Sequence, residues 1–195
     1  MSIENPEIIG VTGHRMNALT PARAMELEED IRNVLIAICG ARAEEMTLIT
    51  ALAEGADRIA AASAMQTGMK IHALLPFPRD AYEADFQSAA SKETFHTFLK
   101  HAAKITELPA RRGTPSDDAR AYAACGEKMI GMCDLLIAVW DGQDGRGAGG
   151  TNDVISMALT AGKPVIWFDS RTRVMPTLIT AMPDGGRRLE PLAPG

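Results

Sequence analysis

The sequence predicts a single α/β domain built on a doubly wound, mainly parallel sheet with helices on both faces. Three observations predict it. Apolar runs of strand length recur at 7–12, 46–52, 70–75, 135–140 and 165–168. Stretches with apolar residues at helical spacing lie between them. Glycine recurs where a run hands over to a helix, at Gly13, Gly55 and the segment 142–150. Strands that alternate with helices pair in parallel, because each helix carries the chain back across the sheet.

The first strand, EIIGVT at 7–12, ends in Gly13-His14-Arg15. Thr20 then caps a helix whose first residue is Pro21. Leu27, Ile31, Val34, Leu35 and Ile38 form its apolar face, Glu26, Glu28, Glu29 and Asp30 its solvated side, and Gly40 its stop. A second strand at 46–52 leads through Ala53, Glu54, Gly55, Ala56 and Asp57 into an alanine-rich helix that Gly68 ends. The third strand, KIHALL at 70–75, stops at Pro76. A polar helical stretch from Asp80 to about Ala90, a short helix at 94–103 and a weak fourth strand at 105–108 follow. After a loop at 109–118, Asp117 or Asp118 is expected to cap a long helix through Tyr122, Gly126, Met129 and Ile130. LLIAVW at 135–140 is a core strand, and TNDVISMAL after the glycine loop is a helix. The last core strand is 165–168. The domain is thus expected over 1–169, with 170–195 a tail rich in Pro, Gly and Arg.

Composition narrows the function. The chain has 195 residues, 46% of them hydrophobic and 23% charged, which suits one domain with a core. Its net charge of -5 disfavours a protein whose main task is gripping nucleic acid. Cys39, Cys125 and Cys133 form no CxxC pair and read as free thiols in a reducing cytoplasm. MSIENPE has no basic region followed by an apolar run, and no stretch is long enough for a membrane span, so a cytoplasmic protein is expected. The histidines show no metal-ligand spacing, and no GxxxxGK[ST] is present.

In a parallel sheet every strand-to-helix loop opens on the carboxyl edge, where ligands bind. The loops at 13–15, 53–57, 76–80, 111–116 and 142–151 therefore share one rim. Among them, the run from Asp141 through Gly149 and Gly150 to Thr151 has the form strand, glycine loop, helix start. Glycines let a backbone approach an anion, and first-turn N–H groups point at it. Thr151 either caps the helix or touches a phosphate.

GVTGHR at the first strand end, ALAEGADRIAA at the second, AVW and GGT before a helix, and GKPVIW at the last strand resemble the SLOG superfamily. That group includes DNA-processing protein A (Smf), the cytokinin-activating LOG enzymes and YpsA-like proteins. The resemblance spans about 7–168. It implies a Rossmann-like fold, binding of nucleotides or nucleotide-derived ligands, and homodimers. By it, Gly10, Gly13, His14 and Arg15 line the ligand, Glu54, Gly55 and Asp57 match the stretch after the second strand, and Gly149, Gly150 and Thr151 match the phosphate-binding turn. The LOG pattern PGGxGTxxE is incomplete: its proline, one glycine and its glutamate are missing, and Val154 stands in the glutamate's place.

Glu54 and Asp57 are the acid candidates, catalytic if the protein is an enzyme. Each either complements a helix dipole or serves a ligand, by binding ribose hydroxyls or acting as a base. Arg15 and Arg79 suit phosphate. Arg111 and Arg112 clamp a ligand or solubilise a loop. His14 meets a base or serves the turn. No metal is expected, and no cofactor beyond a bound nucleotide. The expected function is a binding or sensing module for AMP, ADP-ribose or an NAD-like ligand. The alternative is an N-glycosidic hydrolase, which the missing glutamate weakens. Single-stranded DNA binding is less favoured on charge. An NAD(P)-dependent oxidoreductase, suggested by Gly145, Gly147 and Gly150 with Asp169, lacks a separate catalytic domain.

Overall fold

The computed structural model describes residues 6–143 and 150–192. Gly149, with Gly145 and Gly147, lies outside the described residues. Among these residues eight strands form one sheet: β1 (Ile8–Gly13), β2 (Thr47–Thr50), β3 (Lys70–Leu75), β4 (Lys104–Glu107), β5 (Leu135–Trp140), β6 (Val165–Asp169), β7 (Thr177–Ala181) and β8 (Arg187–Pro191). Their order is β4-β3-β2-β1-β5-β6-β7-β8. The first six are mutually parallel, and β7 and β8 join antiparallel. The order reverses between β1 and β5: the chain runs outward from β1 to β4, then returns to start β5 on β1's other side.

Among the described residues six α-helices accompany the sheet: α1 (Pro21–Cys39), α2 (Ala56–Gln66), α3 (Arg79–Tyr82), α4 (Ala89–His101), α5 (Pro115–Ile130) and α6 (Thr151–Thr160). β5 shows why both faces are covered. All six of its residues are buried. Leu135, Ile137 and Val139 join Leu27, Ile31, Leu35 and Ala60 of α1 and α2. Leu136, Ala138 and Trp140 join Cys125, Met129, Val154 and Ile155 of α5 and α6. The period of two along a strand sends alternate side chains to opposite layers. On α2, Ala60, Ala61 and Ala64 are fully buried, so the helix lies close to its neighbours. His72 stays inside β3, its Nε2 2.9 Å from the Thr106 hydroxyl. The three cysteines are free and buried. No helix among the described residues is long and apolar enough to cross a membrane.

Five features differ from the sequence reading. Neither Asp117 nor Asp118 caps α5. Thr114 does, its hydroxyl accepting from Asp117 N–H while the Asp117 carboxylate accepts from Thr114 N–H at 2.8 Å. This capping box places Pro115 first in the helix, as Thr20 places Pro21 in α1. The stretch from Asp80 is not one helix to Ala90. α3 passes into a short 3-10 turn and stops where Tyr82 and Phe86 turn inward to stack with Phe95. Ser88 then caps α4, which begins five residues before the expected Thr94. Within 170–195, read as a tail, lie β7 and β8, with Leu178 and Ile179 buried. β2 is shorter than 46–52 because Leu52, buried, turns to φ 57°.

Candidate functional site

A cleft of about 540 Å³ lies at the carboxyl ends of β1 and β5, where the strand order reverses. That is where open parallel sheets bind ligands, because the loops on either side diverge to opposite faces. Gly13, His14 and Arg15 line it from β1, Asp57 from α2, Tyr122 and Gly126 from α5, Trp140 from β5, and Gly150, Thr151 and Asn152 from the start of α6.

The first two loops are locked together. The His14 N–H donates to Val139 O at 3.0 Å, and the His14 carbonyl accepts from Ala56 N–H at 3.1 Å. A side chain on Gly13 would meet Ala56 Cβ at 2.5 Å and Val139 O at 2.8 Å. Gly55 has φ 102°, and a Cβ there would run into the His14 carbonyl and Met16 N. Glycine is thus required at both places: at Gly13 for close approach, at Gly55 for its backbone angle as well. Leu52, a branched residue in the left-handed region two residues after β2, adds strain to the same loop.

Asp57 sits at the floor of this loop, 7% exposed. Its Oδ2 accepts from Ala51 N–H at 3.0 Å, from Ala53 N–H at 3.4 Å and from the Thr50 hydroxyl at 3.2 Å. Burial pushes its carboxyl up to about 6, against the opposing pull of those bonds and of Arg15. At the other end of the cleft, the α6 cap residue is Gly150, which offers no side chain to the first-turn N–H groups. Thr151 does not cap the helix; it is the first helical residue, facing the cleft. His14 lies against Asp141, its Nε2 3.2 Å from Oδ1 and 3.3 Å from the Asp141 N–H.

An anchored wall completes the cleft. Asp85 accepts from Arg15 at 2.9 Å, from Arg112 at 2.5 Å and from the Tyr122 hydroxyl at 2.6 Å. Arg112 also lies over the Phe77 ring at 3.9 Å and donates to Asp118 at 2.9 Å. Burial raises the Asp85 carboxyl, and the Tyr122 hydroxyl and the two guanidinium groups pull it back below the usual range.

The structure therefore brings Gly13, His14, Arg15, Asp57, Gly150 and Thr151 to one cleft. Gly55 supports it from behind. Gly10 does not line it; it lies inside β1, where a Cβ would meet Met129 and Cys133 at 3.2 Å, so it serves the packing of α5. Glu54 turns away and accepts from the Ser91 hydroxyl. Arg79 is at the sheet edge, bound through its side chain to Glu107 at 2.6 Å. Arg112 clamps Asp85. Tyr82, Asp85, Tyr122, Gly126 and Trp140 escaped the sequence reading as site residues; a glycine inside an otherwise regular helix, Gly126, was the available signal. Val154 packs there, 3.0 Å from where a Gly126 Cβ would stand. No group of three or more His, Cys, Asp or Glu among the described residues is placed to hold a metal ion.

No family model matches the chain, and no curated protein is similar to it in sequence. Solved structures are similar in fold. DNA processing protein A from Streptococcus pneumoniae superposes with a TM-score of 0.56 at 19% identity, over 85% of this chain and 50% of that one. DNA processing protein A from Helicobacter pylori, which binds single-stranded DNA, superposes with a TM-score of 0.53 at 15% identity, over 85% and 66%. The molybdenum cofactor carrier protein from Chlamydomonas reinhardtii gives 0.48 at 19%, over 85% and 77%. The chain spans about half the length of the pneumococcal protein. It shares the fold of DNA processing protein A, one of the SLOG proteins its motifs resemble.

Proposed function

We propose that the chain binds a nucleotide or nucleotide-derived ligand, of the AMP, ADP-ribose or NAD-like kind, as a binding or sensing module. One observation carries the reading: the uncapped N-terminus of α6 opens on a cleft at the point where the strand order reverses. First-turn N–H groups and the positive end of the helix dipole receive phosphate there. Thr151 and Asn152 add polar groups, and Tyr122 and Trp140 offer flat surfaces to a base. The test is thermal unfolding with AMP and ADP-ribose at millimolar concentration. A ligand at 100 times its Kd stabilises the folded state by about 2.7 kcal/mol, a readily measured rise in Tm. Gly150→Asp places a carboxylate in the anion position and should abolish the rise. No rise with any nucleotide refutes the reading, and a strong, salt-sensitive affinity for single-stranded DNA replaces it.

The buried Asp57, its carboxyl pushed up to about 6, supports a second reading, hydrolysis of an N-glycosidic bond. Such cleavage passes through a positively charged sugar that a carboxylate stabilises. Val154, 4% exposed and lining the cleft, stands where the LOG pattern has that acid. We therefore expect no free base from AMP or isopentenyl-adenosine monophosphate. Turnover of about one per second or more, lost in Asp57→Ala, would establish the enzyme instead.

A further inference from the structure

Neither helix N-terminus at the cleft has a side-chain cap, and each carries an aspartate in its first turn. The two differ in where that aspartate lies: Asp57 of α2 lines the cleft, whereas the lining at α6 is Gly150, Thr151, Asn152 and Val154. All three hydrogen bonds to the Asp57 carboxylate end on Oδ2. Oδ1 has no partner among the described residues, although Asp57 is 7% exposed and lines the cleft. Unlike Arg58 Nη2 and Ser170 Oγ, it is not a closed-off atom, so it opens to the cleft. Arg15, the guanidinium nearest to hand in the cleft, donates to Asp85 instead. A phosphate cannot fill the place, since two anions would face each other. What fits beside Oδ1 is a neutral hydrogen-bond donor.

We propose that Asp57 Oδ1 accepts a hydrogen bond from the sugar or base of the ligand, through a ribose hydroxyl or an exocyclic amino group. The cleft then selects a molecule that is anionic at the α6 end and donor-bearing at the α2 end. This rests on the nucleotide reading and adds to it the residue that separates a nucleotide from any small anion. It also gives the strained 51–55 loop a purpose. By gathering Ala51 N–H, Ala53 N–H and Thr50 on one oxygen, the loop turns the other toward the ligand.

Asp57→Asn tests it with little change of shape. The N–H groups of Ala51 and Ala53 still need an acceptor, so the amide oxygen takes the Oδ2 position. The amide NH2 takes that of Oδ1, and an acceptor becomes a donor. Calorimetric titration would compare AMP with its 2′-deoxy, 3′-deoxy and 6-oxo analogues and with pyrophosphate. Wild-type protein should bind the analogue that lacks the paired donor about 10- to 100-fold more weakly, the range for a hydrogen bond to a charged group. Asp57→Asn should lose a similar factor for AMP and nothing further for that analogue. Pyrophosphate, with neither sugar nor base, should bind both proteins alike. The analogue that loses affinity names the donor, and this series needs only the wild-type protein should the variant misfold. AMP binding to folded Asp57→Asn as tightly as to wild type, or all analogues matching AMP, overturns the proposal while leaving the nucleotide reading intact. Wild-type protein that binds no nucleotide overturns both.

Discussion

Asp57 carries an energetic cost that can be read separately from any ligand. Burial holds its carboxyl at about 6 in the folded chain, although three hydrogen bonds and Arg15 pull the other way. In the unfolded chain the same group titrates near 4. Between those values the folded protein holds the extra proton, so stability from this residue is present below about pH 4 and is lost as pH rises through about 6. At pH 7.5 the loss reaches at most about 3 kcal/mol, since each tenfold gain in proton affinity on folding is worth about 1.4 kcal/mol. Asp57→Asn removes the titration and keeps an acceptor for the loop N–H groups. Urea unfolding should therefore show the variant more stable than wild type at pH 7.5, with the difference shrinking by pH 4.5. A difference that does not change with pH would mean that Asp57 is not the buried, destabilised acid described. A gain in stability alongside a loss of AMP affinity is the pattern of a residue kept for binding rather than for folding.

At the scale of elements, the parts visible in the sequence are those decided by local chemistry. β3 and β5 span the runs read for them, because a strand buried on both faces is apolar nearly throughout; the buried exception, His72, has the Thr106 hydroxyl as its partner. α1 starts at Thr20-Pro21 and stops at Gly40 because caps act within one turn. The same logic was available for Thr114-Pro115, but two aspartates just downstream offered a competing cap and hid it. TLITA, now β7, was obscured by the Pro, Gly and Arg around it, and its partner RRLEP has no apolar alternation. The site divides in the same way. Gly13, Asp57 and Gly150 lie at strand-to-helix handovers and could be read in place. The wall could not, since Arg15, Asp85 and Arg112 come from three separate loops and meet only in the folded chain. Nor could the fate of Glu54, which is settled by Ser91 on α4, 37 residues away. Arg79 was misleading for the opposite reason: its loop is on the carboxyl edge, but β4 beside it supplies Glu107 first.

For the whole molecule, the placement of β7 and β8 separates what holds the sheet together from what forms the cleft. Leu178 lies in the core on the α1 and α2 side and Ile179 in the core on the α6 side, so the hairpin contributes to both layers. Arg173 ties the same segment to Glu29 at 2.9 Å and to Asp30 at 2.7 Å. Exposed pairs of that kind add little. Burying the two aliphatic side chains is worth about 1.5–3 kcal/mol each. Removing 170–195 should lower Tm by about 10 °C, given about 2–4 °C per kcal/mol for a chain of this length. It would also strip the edge of β6, whose Val165, Ile166 and Phe168 are fully buried. An unpaired apolar edge is a template for another chain, so light scattering should detect association that the full chain does not show. The residues lining the cleft all precede β6. The fraction of 1–169 that stays folded and dispersed should therefore bind AMP with the affinity of the full chain. An unchanged Tm with no association would make the hairpin an appendage. A stable, dispersed 1–169 that had lost AMP would mean that the ligand reaches beyond the cleft to the antiparallel end of the sheet.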